Sequence, residues 1–162
     1  VRSSAASDVY KRQVLENIER YSAANNHYVF EITETIEMDQ IPAVQNVFKE
    51  FVKNEFRFAI DDFGTGYSNY GYMRDRTFDI VKVDRSFVTD IDKLKDNYLM
   101  VSFIIKMAHE MGLHVCIEGV ETKEELSCVK KLGADYIQGY YYGKPVCLQD
   151  FEEQHLKRFV LG

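Results

Sequence analysis

Polar side chains that could take part in chemistry stand at or near the ends of five short apolar segments. They are Glu31, the pair Asp61 and Asp62, Lys82 with Asp84, Glu118, and Gln138. Alternate side chains of a strand share a face, so parallel strands would bring three carboxylates together near one lysine and one glutamine. Carboxylates that close repel one another and have raised pKa values unless cations neutralise them. The pattern therefore predicts a binding site for divalent metal ions.

The ligand types indicate which metal such a site would take. Hard oxygen ligands without a cluster of imidazoles favour magnesium or manganese over zinc or copper. The adjacent carboxylates of Asp61 and Asp62 could serve two ions about 3.5–4 Å apart, an arrangement that supports in-line displacement at phosphorus. Taken alone, the pair would more commonly form a polar turn before Phe63 and Gly64.

Lys82 is unusual because it interrupts the apolar run IVKVD. The central strand of a parallel sheet is normally almost entirely apolar. A lysine that faces metal-bound carboxylates could orient an attacking water molecule or stabilise negative charge that grows on a phosphate. The plainer alternative is a lysine that reaches solvent or pairs with a neighbouring acid.

The elements that would position these residues alternate along the chain. Runs rich in apolar, β-branched and aromatic residues predict strands over 28–33, 57–62, 78–84, 113–118 and 134–138. Apolar residues three and four apart predict helices over 14–24, 41–54, 67–74, 91–111, 123–132 and 148–159. Strands joined by single helices form parallel sheets, so an α/β fold is expected.

Two architectures fit this alternation, an open doubly wound sheet and part of a (β/α)8 barrel of the TIM type. Polar residues at all five strand ends favour the barrel, because its strand ends converge on one mouth while an open sheet spreads them along an edge. A complete barrel takes about 250 residues, and five strands are visible here. We therefore expect a partial (β/α)8 barrel of about five βα units.

Composition narrows the possible partners and the compartment. The chain has 162 residues and a formal charge of −6, with lysines and arginines scattered along it. This distribution provides no basic patch, so we expect the chain to bind neither a nucleic acid polymer nor a membrane surface directly. No apolar run approaches the roughly 20 residues of a membrane-spanning helix. We expect a cytoplasmic protein, and an anionic substrate would need metal ions as intermediaries.

Five motifs occur in order along the chain: EITET from Glu31, DDFGTGYSNY from Asp61, VKVDRSFV from Val81, EGVET from Glu118, and QGYYYGKPV from Gln138. Their content and order resemble the EAL-domain family of cyclic di-GMP-specific phosphodiesterases. The resemblance implies a modified (β/α)8 barrel that opens cyclic di-GMP to linear pGpG with two divalent cations, magnesium or manganese.

The resemblance also implies roles for the acidic residues. Glu31 is similar to the family's ligand of the first metal, and Asp61 to the aspartate that bridges both metals. Asp62 and Glu118 resemble ligands of the second metal. Lys82 is similar to the lysine that holds the nucleophilic water, which makes Lys82, Glu118 and Asp61 the expected catalytic residues.

Three further residues are carried over from the same motifs. Gln138 resembles a glutamine at the mouth of the active site that binds substrate. Glu34 is similar to the glutamate that anchors the loop after the DDFGTG strand, and Glu121 to a glutamate that supports the metal ligands from behind. In the family that loop also couples the site to dimerisation, so a homodimer is expected of the complete parent.

The chain departs from the family pattern before residue 14. The tripeptide Glu-Ala-Leu that names the family is absent, as are the arginine after it and the later asparagine that completes the first metal's ligands. Residues 1–13 show neither helical nor strand periodicity. We therefore expect 1–13 to be a foreign or disordered segment and 14–162 to be the C-terminal part of an EAL domain.

Two functions remain open for such a fragment. The first is an enzyme fragment whose complete parent hydrolyses cyclic di-GMP, the isolated chain being inactive because ligands of the first metal are missing. The alternative is a non-catalytic module that binds cyclic di-GMP or regulates another chain. A barrel enzyme acting on a small carboxylate is a weaker third reading.

Overall fold

The fold is a single parallel sheet with helical connections. The computed structural model describes residues 12, 16, 28–33, 42–65, 77–151 and 153. Within these ranges the strands are β1 Val29–Thr33, β2 Arg57–Phe63, β3 Ile80–Val83, β4 His114–Ile117 and β5 Tyr136–Ile137. Their order in the sheet is the order of the chain, and every neighbouring pair is parallel.

This strand order distinguishes the two expected architectures. A doubly wound sheet reverses its strand order at a switch point, whereas a (β/α)8 barrel adds each strand beside the previous one. The observed order contains no reversal across the five described strands. The predicted α/β class and the partial barrel are therefore confirmed.

Four α-helices are described, together with one 3₁₀ helix. They are α1 Pro42–Lys53, the 3₁₀ helix Arg85–Phe87, α2 Lys95–Glu110, α3 Lys123–Leu132 and α4 Leu148–Phe151. The helix predicted over 91–111 begins four residues late, at Lys95. The helices predicted over 14–24 and 67–74, and the end of the one over 148–159, lie outside the described residues, apart from Glu16 and residue 153.

The core lies between the sheet and its helices. Strands β3 and β4 bury β-branched side chains that fit a pleated surface covered on both faces. Helix α2 presents Val101, Ile104 and Ala108 to this core, at the spacing of one helical face. Two charged side chains are buried within the described ranges, Lys82 and Glu125.

Two aspartates hold the amino-terminal ends of the strands in register. Asp79 precedes β3 and accepts a hydrogen bond from the Phe58 N–H of β2, at 2.9 Å. Asp135 precedes β5 and accepts one from the Val115 N–H of β4, at 2.7 Å. Each side chain satisfies a backbone donor at a strand start, where the sheet ladder supplies no partner. This fixed register positions the opposite ends of the strands, where the candidate site lies.

Candidate metal centre

Three carboxylates from separate strands surround the ammonium of Lys82. Lys82 Nζ lies 2.7 Å from Glu31 Oε2 of β1, 2.9 Å from Asp61 Oδ1 of β2, and 2.8 Å from Glu118 Oε1, directly after β4. The pairings of β1 with β2, of β2 with β3 and of β3 with β4 bring these side chains to one end of the sheet. The structure thus brings together four residues that alternation places on one face.

Lys82 is protonated in this environment. Its side chain is 7% exposed, and burial acts to lower its pKa, but the contacts with Glu118, Glu31 and Asp61 outweigh burial and raise the pKa above its usual value. Lys82 therefore donates hydrogen bonds and is a poor general base. The alternative in which Lys82 pairs with a neighbouring acid is also observed, since Lys82 contacts three acids at the same time.

The site nevertheless has an excess of negative charge. Burial raises the pKa of Glu118, as do the nearby charges of Asp61 and Glu31, while Lys82 opposes the shift. One ammonium cannot balance these three carboxylates together with Asp62 beside them. A further cation at this position would favour the ionised form of each acid.

Asp62 reaches the same end of the site as Asp61 through an irregularity in β2. In a regular strand adjacent side chains point to opposite faces. The pairing of β2 with β3 shifts register between Ile60 and Phe63, and Asp62 has a left-handed φ of 54°. The Asp62 carbonyl accepts hydrogen bonds from the Thr65 N–H at 3.3 Å and Oγ1 at 2.9 Å, which hold this turn. Such bulges re-aim side chains beside active sites.

The resulting arrangement fits a divalent cation. Asp61, Asp62 and Glu118 each offer an oxygen, and these atoms lie within 4.8 Å of one another. Asp61 Oδ1 is buried, and its contact among the described residues is the ammonium of Lys82 at 2.9 Å. Three carboxylates grouped in this way are a donor set that magnesium or manganese prefers. Glu31 lies outside this group and meets it through Lys82.

A pocket of about 840 Å³ adjoins the carboxylates and shares Glu118 with them. Its wall also contains Gln138 and Glu121, so two further predicted residues lie beside the centre rather than in it. Glu34 lies outside the described residues. The size is within the range of small-molecule sites, about 300–1,000 Å³.

The pocket wall also contains residues that the sequence motifs did not single out as functional. Arg85, Tyr140, Tyr142 and Lys144 line the pocket, and the Lys144 ammonium lies 5.4 Å from the ring centre of Tyr140. Their position in the sequence could have indicated a place in the pocket, because each of them follows the end of a strand within one of the five motifs. The pocket therefore offers cations and aromatic faces next to the acidic centre.

A close backbone approach fixes Gln138 at the rim of the pocket. Val120 N–H donates to the Gln138 carbonyl at 3.2 Å, and Tyr141 N–H donates to the Val120 carbonyl at 3.0 Å. A Cβ atom at Gly139 would lie 2.1 Å from the Val120 oxygen. Glycine is required at this position because the loops after β4 and β5 touch through their backbones.

The EAL domain family model matches residues 1–145. The chain belongs to the EAL domain family. The matched range includes residues 1–13, which lie outside the described part apart from Arg12. The boundary expected at residue 14 stays a prediction.

Named relatives agree with this assignment. The chain is 35% identical over 131 residues to cyclic di-GMP phosphodiesterase PdeB of Shewanella oneidensis, a match covering 81% of this chain and 15% of PdeB. The EAL enzyme Bd1971, solved with cAMP and cyclic di-GMP bound, has a TM-score of 0.79 and 32% identity, covering 88% of this chain and 38% of that one. The manganese and cyclic di-GMP complex of Klebsiella pneumoniae BlrP1 has a TM-score of 0.73 and 28% identity, covering 82% and 34%.

The chain spans 14% to 38% of the length of five curated relatives that it matches. Among the helices of the described ranges, none has both the length and the hydrophobicity needed to cross a bilayer.

Proposed function

We propose that this chain is part of a phosphodiesterase domain that hydrolyses cyclic di-GMP to linear pGpG with two divalent cations, magnesium or manganese. The observation that carries the proposal is the meeting of Glu31, Asp61 and Glu118 around Lys82. Family membership supports the substrate, because PdeB is named a cyclic di-GMP phosphodiesterase and the Bd1971 and BlrP1 structures are named as cyclic di-GMP complexes.

The residues that would hold the cations follow from the donor set. Asp61, Asp62 and Glu118 would hold one ion, and Glu31 with Asp61 would contribute to the other. When bound, such ions neutralise charge on a phosphate and make water more acidic. The manganese in the BlrP1 complex supports the choice of metal.

The protein groups would orient the reactants. Lys82, held as an ammonium, would donate a hydrogen bond to the attacking water or to a phosphate oxygen. Glu118 would hold a cation beside the reacting phosphate, and that cation would favour the ionised form of its carboxyl group. Gln138 and the pocket wall would bind the nucleotide, and Glu121 would support the loop that carries Glu118.

The isolated chain is proposed to be inactive although its complete domain is active. The resemblance implies that the first metal has further ligands in the part of the domain before residue 14. By contrast, Asp61, Asp62 and Glu118, which would hold the second metal, are all present in this chain. That imbalance also favours a second candidate function, binding of cyclic di-GMP without hydrolysis. The cytoplasmic location and the homodimer of the parent stay predictions.

Chromatography of the nucleotide products tests the proposal. The chain and a version extended by its upstream strands are incubated with cyclic di-GMP and Mg²⁺ or Mn²⁺. We expect pGpG from the extended version, no product after Glu118→Gln, and native rates after Glu124→Gln, a control in the exposed first turn of α3. No product from the extended version would refute hydrolysis, and tight binding without product would favour the binding module.

A further inference from the structure

Glu125 is a buried carboxylate that none of the roles above uses. Its residue is 6% exposed, in the first turn of α3. Acidic side chains are almost never fully buried unless they are paired, and Glu125 takes part in none of the described ion pairs. Its partners are backbone N–H groups, which are permanent donors.

One carboxylate oxygen of Glu125 is bound by residues close to it in the sequence. Thr122 caps α3, since its Oγ1 accepts from the Glu125 N–H at 3.1 Å. Glu125 Oε2 in return accepts from the N–H groups of Thr122 at 3.0 Å and Glu121 at 2.9 Å. This reciprocal pattern is a capping box, and it accounts for one carboxylate oxygen.

The other oxygen reaches a distant part of the chain. Glu125 Oε1 accepts from the Asp90 N–H at 3.1 Å, across 35 residues. Asp90 has a left-handed φ of 55°, and its carbonyl accepts from Lys93 N–H at 2.8 Å and Leu94 N–H at 2.9 Å. It thus stands where the loop after β3 turns into α2. Burial acts to raise the pKa of Glu125, but the three backbone donors outweigh it and lower the pKa, so the carboxylate is ionised.

The two loops that Glu125 joins form adjacent parts of the pocket wall. The loop after β3 carries Asp84 and Arg85, and the loop after β4 carries Gly119 and Glu121. They touch on the pocket side, where a Cβ atom at Gly119 would lie 2.3 Å from Arg85 Cβ. The hydrogen bond from the Asp90 N–H to Glu125 is a second contact between the same two loops.

We propose that Glu125 is a positioning residue, whose carboxylate ties the loop after β3 to the loop after β4 and so fixes Arg85 and Glu121 beside Glu118. It touches neither the acidic centre nor the pocket, and acts through Asp90, Glu121 and Thr122. Its consequence for cyclic di-GMP binding rests on the function proposed above.

Glu125→Gln distinguishes the capping of α3 from the hydrogen bond to Asp90. The amide oxygen can replace Oε2 and keep the capping box, but the NH₂ group then faces the Asp90 N–H, donor against donor. Hydrogen exchange should quicken at Asp90 by at least about tenfold, the cost of losing a hydrogen bond to a charged group, and stay near native at Glu121 and Thr122. Glu125→Ala should quicken all three. Glu124→Gln is the matched control, and unchanged exchange at Asp90 in both Glu125 variants would overturn the proposal.

Ligand affinity distinguishes positioning from general stabilisation. Glu125→Gln should weaken cyclic di-GMP binding, measured with Mn²⁺ present, by about tenfold, while Mn²⁺ affinity alone stays within about twofold because no carboxylate of the centre has moved. A fall of both affinities together with the melting temperature would overturn positioning. If the version extended by its upstream strands also fails to bind cyclic di-GMP, the proposed function fails, and the exchange at Asp90 alone decides the role of Glu125.

Discussion

Asp61 and Asp62 are consecutive in β2, and yet both offer carboxylate oxygens to one ligand group. The left-handed φ of 54° at Asp62 and the register shift beside it make this possible. A non-glycine residue in that conformation is strained by roughly 1–2 kcal/mol, less for aspartate and asparagine than for others. Strain retained beside an acidic cluster is typical of a functional site.

Substitution of Asp62 should separate charge from backbone conformation. Asparagine also tolerates the left-handed region, so Asp62→Asn should leave the metal-free melting temperature within about 2 °C of native and remove most of the rise that Mn²⁺ produces. Asp62→Ala should lower the metal-free melting temperature as well. Equal Mn²⁺-induced rises in native protein and Asp62→Asn would show that Asp62 is not a ligand.

Lys82→Met should destabilise the metal-free protein by about 3 kcal/mol, at the low end for removing one partner of a buried ion pair because Glu31 is half-exposed. The variant leaves three carboxylates facing one another, so Mn²⁺ should restore more stability to it than to the native chain. Urea unfolding with and without Mn²⁺ measures both effects. A variant as stable as native protein in a chelator would contradict the charge imbalance described here.

Gly139→Ala should lower the melting temperature and weaken nucleotide binding, because the added Cβ atom would lie 2.1 Å from the Val120 oxygen. Gly143→Ala is the matched control, since a Cβ atom there meets nothing within 4 Å. Thermal unfolding compares the pair, and a cyclic di-GMP titration compares Gly139→Ala with native protein, because Gly143 itself lines the pocket. Similar behaviour of the two variants would argue against a close contact between the loops after β4 and β5.

Acid should remove the stabilisation that Asp135 supplies. Burial acts to raise its pKa, but His109 at 2.8 Å and the Val115 N–H outweigh burial and lower it. The charge therefore contributes fully above the unfolded-state pKa of about 3.9, and its contribution disappears as the pH falls through the lower folded-state pKa.

Urea unfolding of native protein and Asp135→Asn checks this window. The difference in the free energy of unfolding should be present at about pH 5 and shrink towards about pH 3. A difference that stays constant over this range would mean that folding does not lower the pKa of Asp135, so that the ionised carboxylate has no advantage over the protonated acid.

Much of the fold follows from sequence, because β-branched apolar runs and helical periodicity report burial directly. The strand predicted over 57–62 is Arg57–Phe63 in the structure. The helix predicted from 91 starts at Lys95 because Ile91, 1% exposed, is buried in a turn before the helix. Because Ile91 is apolar and buried, it extends the apolar spacing of the helix in the sequence although it lies before the helix. Its position in a turn follows from the tertiary packing around Asp90, which the sequence pattern does not show.

The candidate site was partly predictable for the same reason. Alternation along parallel strands brings Glu31, Asp61 and Glu118 to Lys82 without further information. Alternation alone would point Asp62 away, and the bulge that redirects it has no sequence signal of comparable strength. The Thr122 and Glu125 spacing is readable as a capping box, whereas the bond from Asp90 across 35 residues depends on how the loops meet.

Titration with Mn²⁺ followed by electron paramagnetic resonance tests the acidic centre most directly. We expect the native chain to bind Mn²⁺, and Asp61→Asn to weaken this binding by at least about tenfold. Asp96→Asn removes an exposed carboxylate in the first turn of α2 and should leave it unchanged. Native binding that is absent, or equal in all three proteins, would contradict a metal site built from β2 and the residue after β4.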